Sequence, residues 1–296
     1  MTSVNILHIA NLKLPFEKNR LLMFFVGINI MFTGIDVALA HSINQFIPIY
    51  EWIPILFFPF GTLSCLLIAF QTKPKIWQLI IHILFMIIGI IVGITGTAFH
   101  ANAVLNPQGY LTWAWVVFGS PILAPLAFSG ISLLGLYAIT EEDKDNPETL
   151  IVPGIGKFKS PISRDRHFLW LVGLGLAASA ITSIIDHAQY GYSFYKLIPI
   201  IFGLFSSSVV IYLSISKEWS RGDEVVYFWT MVAAVAVGIM GFGFHLSADL
   251  AGTGSFSMER ILAFAPIFAP MLYSDLGILG LLVVAKKDEN KISSVL

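Results

Sequence analysis

Apolar residues run along this chain in eight long stretches, at about 21 to 43, 52 to 71, 76 to 101, 113 to 139, 167 to 188, 196 to 215, 225 to 248 and 260 to 284. Each is close to the roughly 20 residues that a helix needs to cross a hydrocarbon core about 30 Å thick. Ten-residue stretches of alternating polarity, the mark of a membrane barrel, are not seen, and open β structure would leave backbone groups unpaired in lipid. The pattern predicts an all-α polytopic integral membrane protein with eight transmembrane helices. Lys13, Lys18 and Arg20 precede the first stretch, but that stretch is longer than the core of a signal peptide, and it is expected to be retained.

One long polar connection, residues 141 to 166, interrupts the pattern and is rich in charge, Pro and Gly. It separates a first unit, 1 to 140, from a second, 167 to 296, and the two read as copies. Pro121-Ile122-Leu123-Ala124-Pro125 matches Pro266-Ile267-Phe268-Ala269-Pro270 at an offset of 145, with 8 identities over the 16 positions from 121 to 136. The same offset pairs Ile53-Pro54-Ile55 with Ile198-Pro199-Ile200, and Gly96, Phe99 and His100 with Gly241, Phe244 and His245. At offset 146, Val26-Gly27 meets Val172-Gly173 and His41 meets His187. The expectation is a tandem duplication of a four-helix unit, with both copies inserted in the same orientation because four is even.

Composition agrees with a lipid solvent. The chain is 56% hydrophobic and only 12% charged, about half the charge of an ordinary soluble domain. A formal net charge of -1 argues against nucleic acid as a partner, which needs a concentrated surplus of Lys and Arg. The single cysteine, Cys65, excludes an intramolecular disulfide and a Cys-rich zinc site. Lys13, Lys18, Arg20, Lys73, Lys75, Lys144, Lys157, Lys159, Arg164, Arg166, Lys217, Arg221, Lys286, Lys287 and Lys291 fall on one side of the predicted topology, leaving Lys196 and Arg260 on the other. The positive-inside rule then places both termini in the cytoplasm.

Histidines carry the candidate chemistry. His41, His100, His187 and His245 form two repeat-related pairs, each joining the outer end of the first helix of a unit to that of the third. His82 has no histidine counterpart, because the matching position is Tyr227. Imidazole is the commonest metal ligand, and ionisable groups inside a membrane are functional candidates. Gly96 and Gly241 stand four residues before His100 and His245, on the same helix face, and would leave room for a flat macrocycle. Bis-histidine haem b, one per unit, is therefore expected as cofactor, serving electron transfer or oxidation of a membrane-soluble substrate such as a quinone. A non-haem Cu or Fe centre is the alternative, with Asp249, four residues after His245, or Asp186, beside His187, as ligand or orienting acceptor. Either version makes the chain a candidate membrane oxidoreductase. A purely structural account of the histidines, as helix-end hydrogen bonders, competes with both.

Two four-helix halves with two histidines each near the outer face is an arrangement similar to that of haem A synthase, a haem-modifying membrane enzyme. The resemblance implies only that such a layout can hold haem. In that family the histidines lie on the second and fourth helices of each half, whereas here they are on the first and third, and the glutamate-histidine motif is missing. No residue is carried across from it.

Transport is the rival class. Proline interrupts helices and frees carbonyls that can coordinate a cation, and Pro121, Pro125, Pro266 and Pro270 stand at corresponding places in the two units, as broken helices do in transporters. Asp275, near mid-membrane where the first unit has Gly130, adds an acid at a costly depth. A third class is a structural or pigment-binding subunit among other membrane subunits, suited by 24 Phe, 7 Trp and 9 Tyr.

Overall fold

The computed structural model describes residues 17–43, 45–105, 109–143, 145–251 and 266–285. Nine helices occur among them: α1 (Lys18–Ser42), α2 (Trp52–Ala69), α3 (Ile76–Leu105), α4 (Trp113–Phe118), α5 (Leu126–Ala138), α6 (Arg164–Ala188), α7 (Phe194–Ile215), α8 (Arg221–Leu250) and α9 (Met271–Val284). A 3-10 turn, Ile49–Glu51, leads into α2. Six helices, α1, α2 with its turn, α3, α6, α7 and α8, are long and apolar enough to cross a membrane. The chain is thus mostly helical and membrane-spanning in character. The start of the predicted eighth stretch with Arg260, and the terminal Lys13, Lys286, Lys287 and Lys291, lie outside the described residues.

The predicted fourth stretch, 113 to 139, is not one helix. It divides into α4 and α5, and the 13 residues of α5 and 14 of α9 reach only about 20 Å at 1.5 Å per residue, short of the hydrocarbon core. The physical reason is local. An N–H at 121 would bond the carbonyl of Val117, and one at 125 the carbonyl of Pro121; proline supplies neither. Gly119 has no side chain, and a Cβ there would stand 2.4 Å from the Trp115 carbonyl oxygen. The helix stops at Phe118 and restarts after Pro125, and α9 likewise starts after Pro270.

Packing in the interior uses small residues, as expected where lipid tails remove the usual hydrophobic drive between helices. A Cβ on Gly93 of α3 would lie 2.7 Å from both the Pro125 carbonyl and the Ser129 amide, and one on Gly238 of α8 would lie 2.9 Å from the Pro270 carbonyl and 2.6 Å from the Ser274 amide. The helices approach so closely that Ser129 donates to the carbonyl of Ile90 and Ser274 to that of Val235, both at 2.9 Å. Leu22, Val26, Ile30, Met86, Phe128, Phe168, Val172, Leu176 and Met231 fill the core. Leu56, Phe60, Leu63, Ile91, Ile94, Ile201 and Phe205 point outward, where lipid is their natural contact.

His82 and Tyr227 do the same work. His82, fully buried, makes a 3.2 Å hydrogen bond through Nε2 to the Gly135 carbonyl, and Tyr227 donates its hydroxyl to that of Gly280 at 2.9 Å. The absence of a histidine counterpart therefore does not set His82 apart, since a hydrogen-bonding group occurs at both positions.

Contacts at the opposite end from the histidines are reciprocal. Lys18 at the start of α1 pairs with Asp165 at 3.3 Å and donates to the Val283 carbonyl of α9. Arg164 at the start of α6 bonds Asn19 at 2.8 Å and the carbonyls of Tyr137 and Ala138 of α5 at 3.0 and 3.4 Å. Each cation bonds carbonyls at a helix C-terminus, where positive charge is favoured. The polar connection of a chain expected to be all-α holds a three-stranded antiparallel sheet of β1 (Glu141–Glu142), β2 (Thr149–Val152) and β3 (Gly156–Lys159). Gly154 turns between β2 and β3 at φ +73°. The Glu142 carboxylate accepts from the backbone N–H of Arg164 at 2.7 Å and of Asp165 at 3.4 Å, seating the sheet on the first turn of α6.

Candidate functional site

The two histidine pairs form as expected. His41 at the end of α1 and His100 near the end of α3 have ring centres 6.2 Å apart, and His187 of α6 and His245 of α8 have theirs 6.4 Å apart. All four rings are half-buried. Two imidazoles that share a metal through nitrogens about 2.0–2.1 Å from it have centres at most about 6.4 Å apart, and only when they stand on opposite sides of the ion, so both pairs lie at the outer limit of that span.

The proline motif holds one histidine of each pair. His100 Nδ1 is 2.9 Å from the Pro121 carbonyl oxygen, and His245 Nδ1 is 2.9 Å from that of Pro266. Pro125 and Pro270, lacking an N–H, cannot bond these carbonyls from four residues on, and each carbonyl also accepts a backbone N–H from three residues on, Ala124 at 3.3 Å and Ala269 at 3.2 Å. An imidazole that donates from Nδ1 presents Nε2 as its acceptor, the arrangement seen in metal-ligating histidines. The carbonyl of Val117, opened by Pro121, accepts instead from Gln189 Nε2 at 2.7 Å, which ties the first half to the end of α6. Each of these three carbonyls, of Pro121, Pro266 and Val117, thus has a side-chain partner.

His187 is anchored differently, with Nδ1 at 3.0 Å from the Lys196 carbonyl. His41 is not anchored, and its buried Nδ1 has no hydrogen bond. Chain length explains the contrast. From His41 to Glu51 is one residue longer than from His187 to Lys196, and the extra residue is absorbed with Gln45 and Phe46 in left-handed backbone, at φ 60° and 54°, an uncommon conformation for side chains of this kind.

The space expected beside the imidazoles is filled. A Cβ on Gly96 would meet the ring of Pro125 at 2.8 Å, and one on Gly241 the ring of Pro270 at 2.6 Å. These glycines admit the proline turn against α3 and α8, so they offer no slot for a macrocycle and are not haem-cradling residues. A shallow hollow of about 450 Å³ runs along Gly243, Leu246, Ser247, Leu250 and Ala251, with none of the four histidines in its wall.

The acids expected at the site stand apart from the rings. Asp249 is buried at 3% exposure, and neither carboxylate oxygen has a hydrogen bond, so it does not orient His245. Asp186 lines a cavity of about 20 Å³ with Pro121, Ile122, Leu123 and Thr182, about the space of one water. Among the described residues no three His, Cys, Asp or Glu side chains gather as a metal-holding group, so a single four-histidine centre is not formed there. Asp275 lies on α9 with Ser274, whose hydroxyl is committed to Val235.

No family model, curated protein or solved structure matches this chain. Its chemistry is therefore read from its own residues. Two of these were not singled out by the sequence pattern. Glu51, 8% exposed, follows Tyr50, which stacks on Phe99, and Lys196, at the corresponding position, places its carbonyl 3.0 Å from His187 Nδ1. The repeat itself carried the signal: the offset of 145 that pairs Pro54 with Pro199 also pairs Glu51 with Lys196.

Proposed function

We propose that this chain is an eight-segment membrane protein, built as two tandem four-helix units joined by residues 141–166, that binds transition-metal ions at paired histidines. The units are 1–140 and 167–296. Support for the duplication comes from contacts that recur at one offset, above all Ser129 to Ile90 with Ser274 to Val235, and from the reciprocal Lys18–Asp165 and Arg164–Asn19 pairs. A contact in which each copy gives the other what it receives is that of a two-fold axis. With the basic residues at the ends opposite the histidines, the termini are cytoplasmic and the histidine pairs lie near the non-cytoplasmic face.

The observation that carries the metal reading is the pairing of the rings at 6.2 and 6.4 Å, with His100 and His245 held by Nδ1 on the Pro121 and Pro266 carbonyls. Imidazole ligands favour Cu, Fe or Zn; Cu or Fe would carry single electrons between a lipophilic donor, such as a quinol, and an acceptor. The chain's part is to hold the rings, set which nitrogen faces the ion and surround it with low-dielectric helices. Purified protein should contain Cu or Fe, lose it in His100→Ala and His245→Ala, and show no Soret band. Protein that binds neither metal overturns this reading, and a Soret band removed by the same substitutions replaces the ion with haem b.

Transport is the second reading, favoured by the interruption between Phe118 and Leu126 and the matching start of α9 at Met271. Discontinuous helices at corresponding places mark substrate sites in transporters. Loss of proton- or sodium-coupled uptake into proteoliposomes in Asp275→Asn, with no metal bound to the parent protein, would establish it.

A further inference from the structure

We propose that the hairpin of β2 and β3 is an interfacial anchor, which lays Phe158 into the lipid headgroup layer at the start of α3 and holds anionic headgroups there through Lys73 and Lys75. The inference needs only the spanning helices and is independent of what the histidines bind.

Register decides which way Phe158 faces. Leu150 pairs with Phe158 and Val152 with Gly156, and residues directly opposite in an antiparallel pair lie on one face of the sheet. Leu150 and Val152 are buried, Val152 within the hydrophobic core, so this face is turned to the helix bundle. Phe158 shares the face and is nevertheless 52% exposed. In the order β1-β2-β3 its strand is an edge, and the bundle that covers β2 does not cover it. Lys157, on the opposite face, is exposed and paired with Asp143.

The turn sets the height of the hairpin. A Cβ on Gly154, between β2 and β3, would stand 3.0 Å from Cγ1 of Ile76, the first residue of the spanning helix α3. The tip of the hairpin therefore lies where α3 enters the bilayer. Ile76, Trp77, Ile155 and Phe158 are all exposed there, a set suited to the boundary between headgroups and acyl chains.

Charge is divided along the sheet in the same sense. Lys73 and Lys75, both exposed, lie in the connection that ends at Ile76, beside the tip. Asp145 and Glu148, also exposed, lie between β1 and β2, at the other end of β2. An apolar tip flanked by ammonium groups, with these carboxylates at the far end, complements a layer of anionic headgroups over acyl chains.

The test uses the full chain reconstituted into bilayers of phosphatidylcholine with phosphatidylglycerol. Cys65 is free but fully buried, so a nitroxide can be attached at the exposed positions in Phe158→Cys and Lys157→Cys. Collisional relaxation should show the label at 158 open to oxygen and shielded from a water-soluble nickel chelate, and the label at 157 open to the chelate. Equal exposure of the two labels to the chelate would overturn the anchor. Shielding at 158 from oxygen and chelate alike would overturn it in favour of a protein contact, such as a second copy. In phosphatidylcholine alone the label at 158 should move toward water. Spin-labelled phosphatidylglycerol should associate roughly 5-fold more weakly with the double variant Lys73→Gln, Lys75→Gln than with the parent protein, a comparison that needs no label on the hairpin. The same depth in both bilayers, or unchanged lipid association, would overturn the recognition of anionic headgroups.

Discussion

The segment holding α1 to α5 and the segment holding α6 to α9 place the same residue types at several close helix approaches, and differ where charge is concerned. Positions that set backbone approach correspond: Gly93 with Gly238, Pro125 with Pro270, Ser129 with Ser274. Positions that carry or exclude charge do not: Glu51 faces Lys196, Val104 faces Asp249 and Gly130 faces Asp275. A glycine wedged against a carbonyl has no tolerated alternative, because backbone cannot move aside. A charged side chain at the edge of the bundle is free to change, because its cost depends on what lies next to it. The halves thus share a scaffold and divide over electrostatics.

The largest effect is expected where the halves agree most closely. Gly93→Leu and Gly238→Leu would each drive side-chain carbon into the Pro–Ser turn of the neighbouring helix, costing about 3 kcal/mol or more. Unfolding in denaturing detergent, followed by circular dichroism, should show matching losses for the two variants. A large loss for one alone would mean that the halves are not packed by the same rule.

A smaller effect tests the one buried position where the halves use different chemistry for one bond. Tyr227→Phe leaves the Gly280 carbonyl without its hydroxyl donor, at a cost of about 1–3 kcal/mol. His82→Phe should cost a similar amount through Gly135, since Ser64, 3.3 Å from His82 Nδ1, keeps its 2.8 Å bond to the Gly61 carbonyl. Thermal unfolding of the two variants side by side checks the equivalence; a neutral Tyr227→Phe would break it.

The smallest effect concerns the sheet that joins the halves. Burial, reinforced by the nearby charge of Asp165, raises the Glu142 carboxyl above its ordinary value of 4.5. The folded state therefore holds this proton more tightly than the unfolded chain, so the contribution to stability is fully present below pH 4.5 and is lost as pH rises through the higher folded value. Glu142→Gln should reduce this part of the pH dependence while the carboxamide oxygen still accepts from the α6 amides. Asp143 works in the opposite sense, since its hydrogen bond with Lys157 lowers it, but both partners are exposed and salt should erase the difference. Unfolding midpoints from pH 4 to 7 should shift less in Glu142→Gln than in the parent protein, and an unchanged profile would remove Glu142 from the account.

Much of this organisation was legible along the chain because a bilayer reads length and polarity directly. Six of the eight predicted stretches are spanning helices, whereas the fourth, expected as one helix, breaks at the Pro-x-x-x-Pro motif; the approach of His41 to His100 and of His187 to His245 follows the spacing. Less legible were features that depend on who fills a space. Gly96 reads equally well as room for a cofactor and as room for Pro125, because the sequence records that a side chain is missing and not which neighbour arrives. The sheet at 141–159 escaped notice since its strands are two to four residues long, too short for alternation to register.

Sequence by itself determined that this chain lives in a membrane, where its helices break and that its chemistry-bearing residues come in matched pairs, because hydropathy, missing N–H groups and a constant offset are properties of the chain alone. Tertiary structure decided the remainder. Only folding brings the Pro121 carbonyl to His100, the Pro266 carbonyl to His245 and the Lys196 carbonyl to His187, and closes the gaps beside Gly96 and Gly241. Those are distances between residues far apart along the backbone, and through-space distance governs both hydrogen bonding and charge.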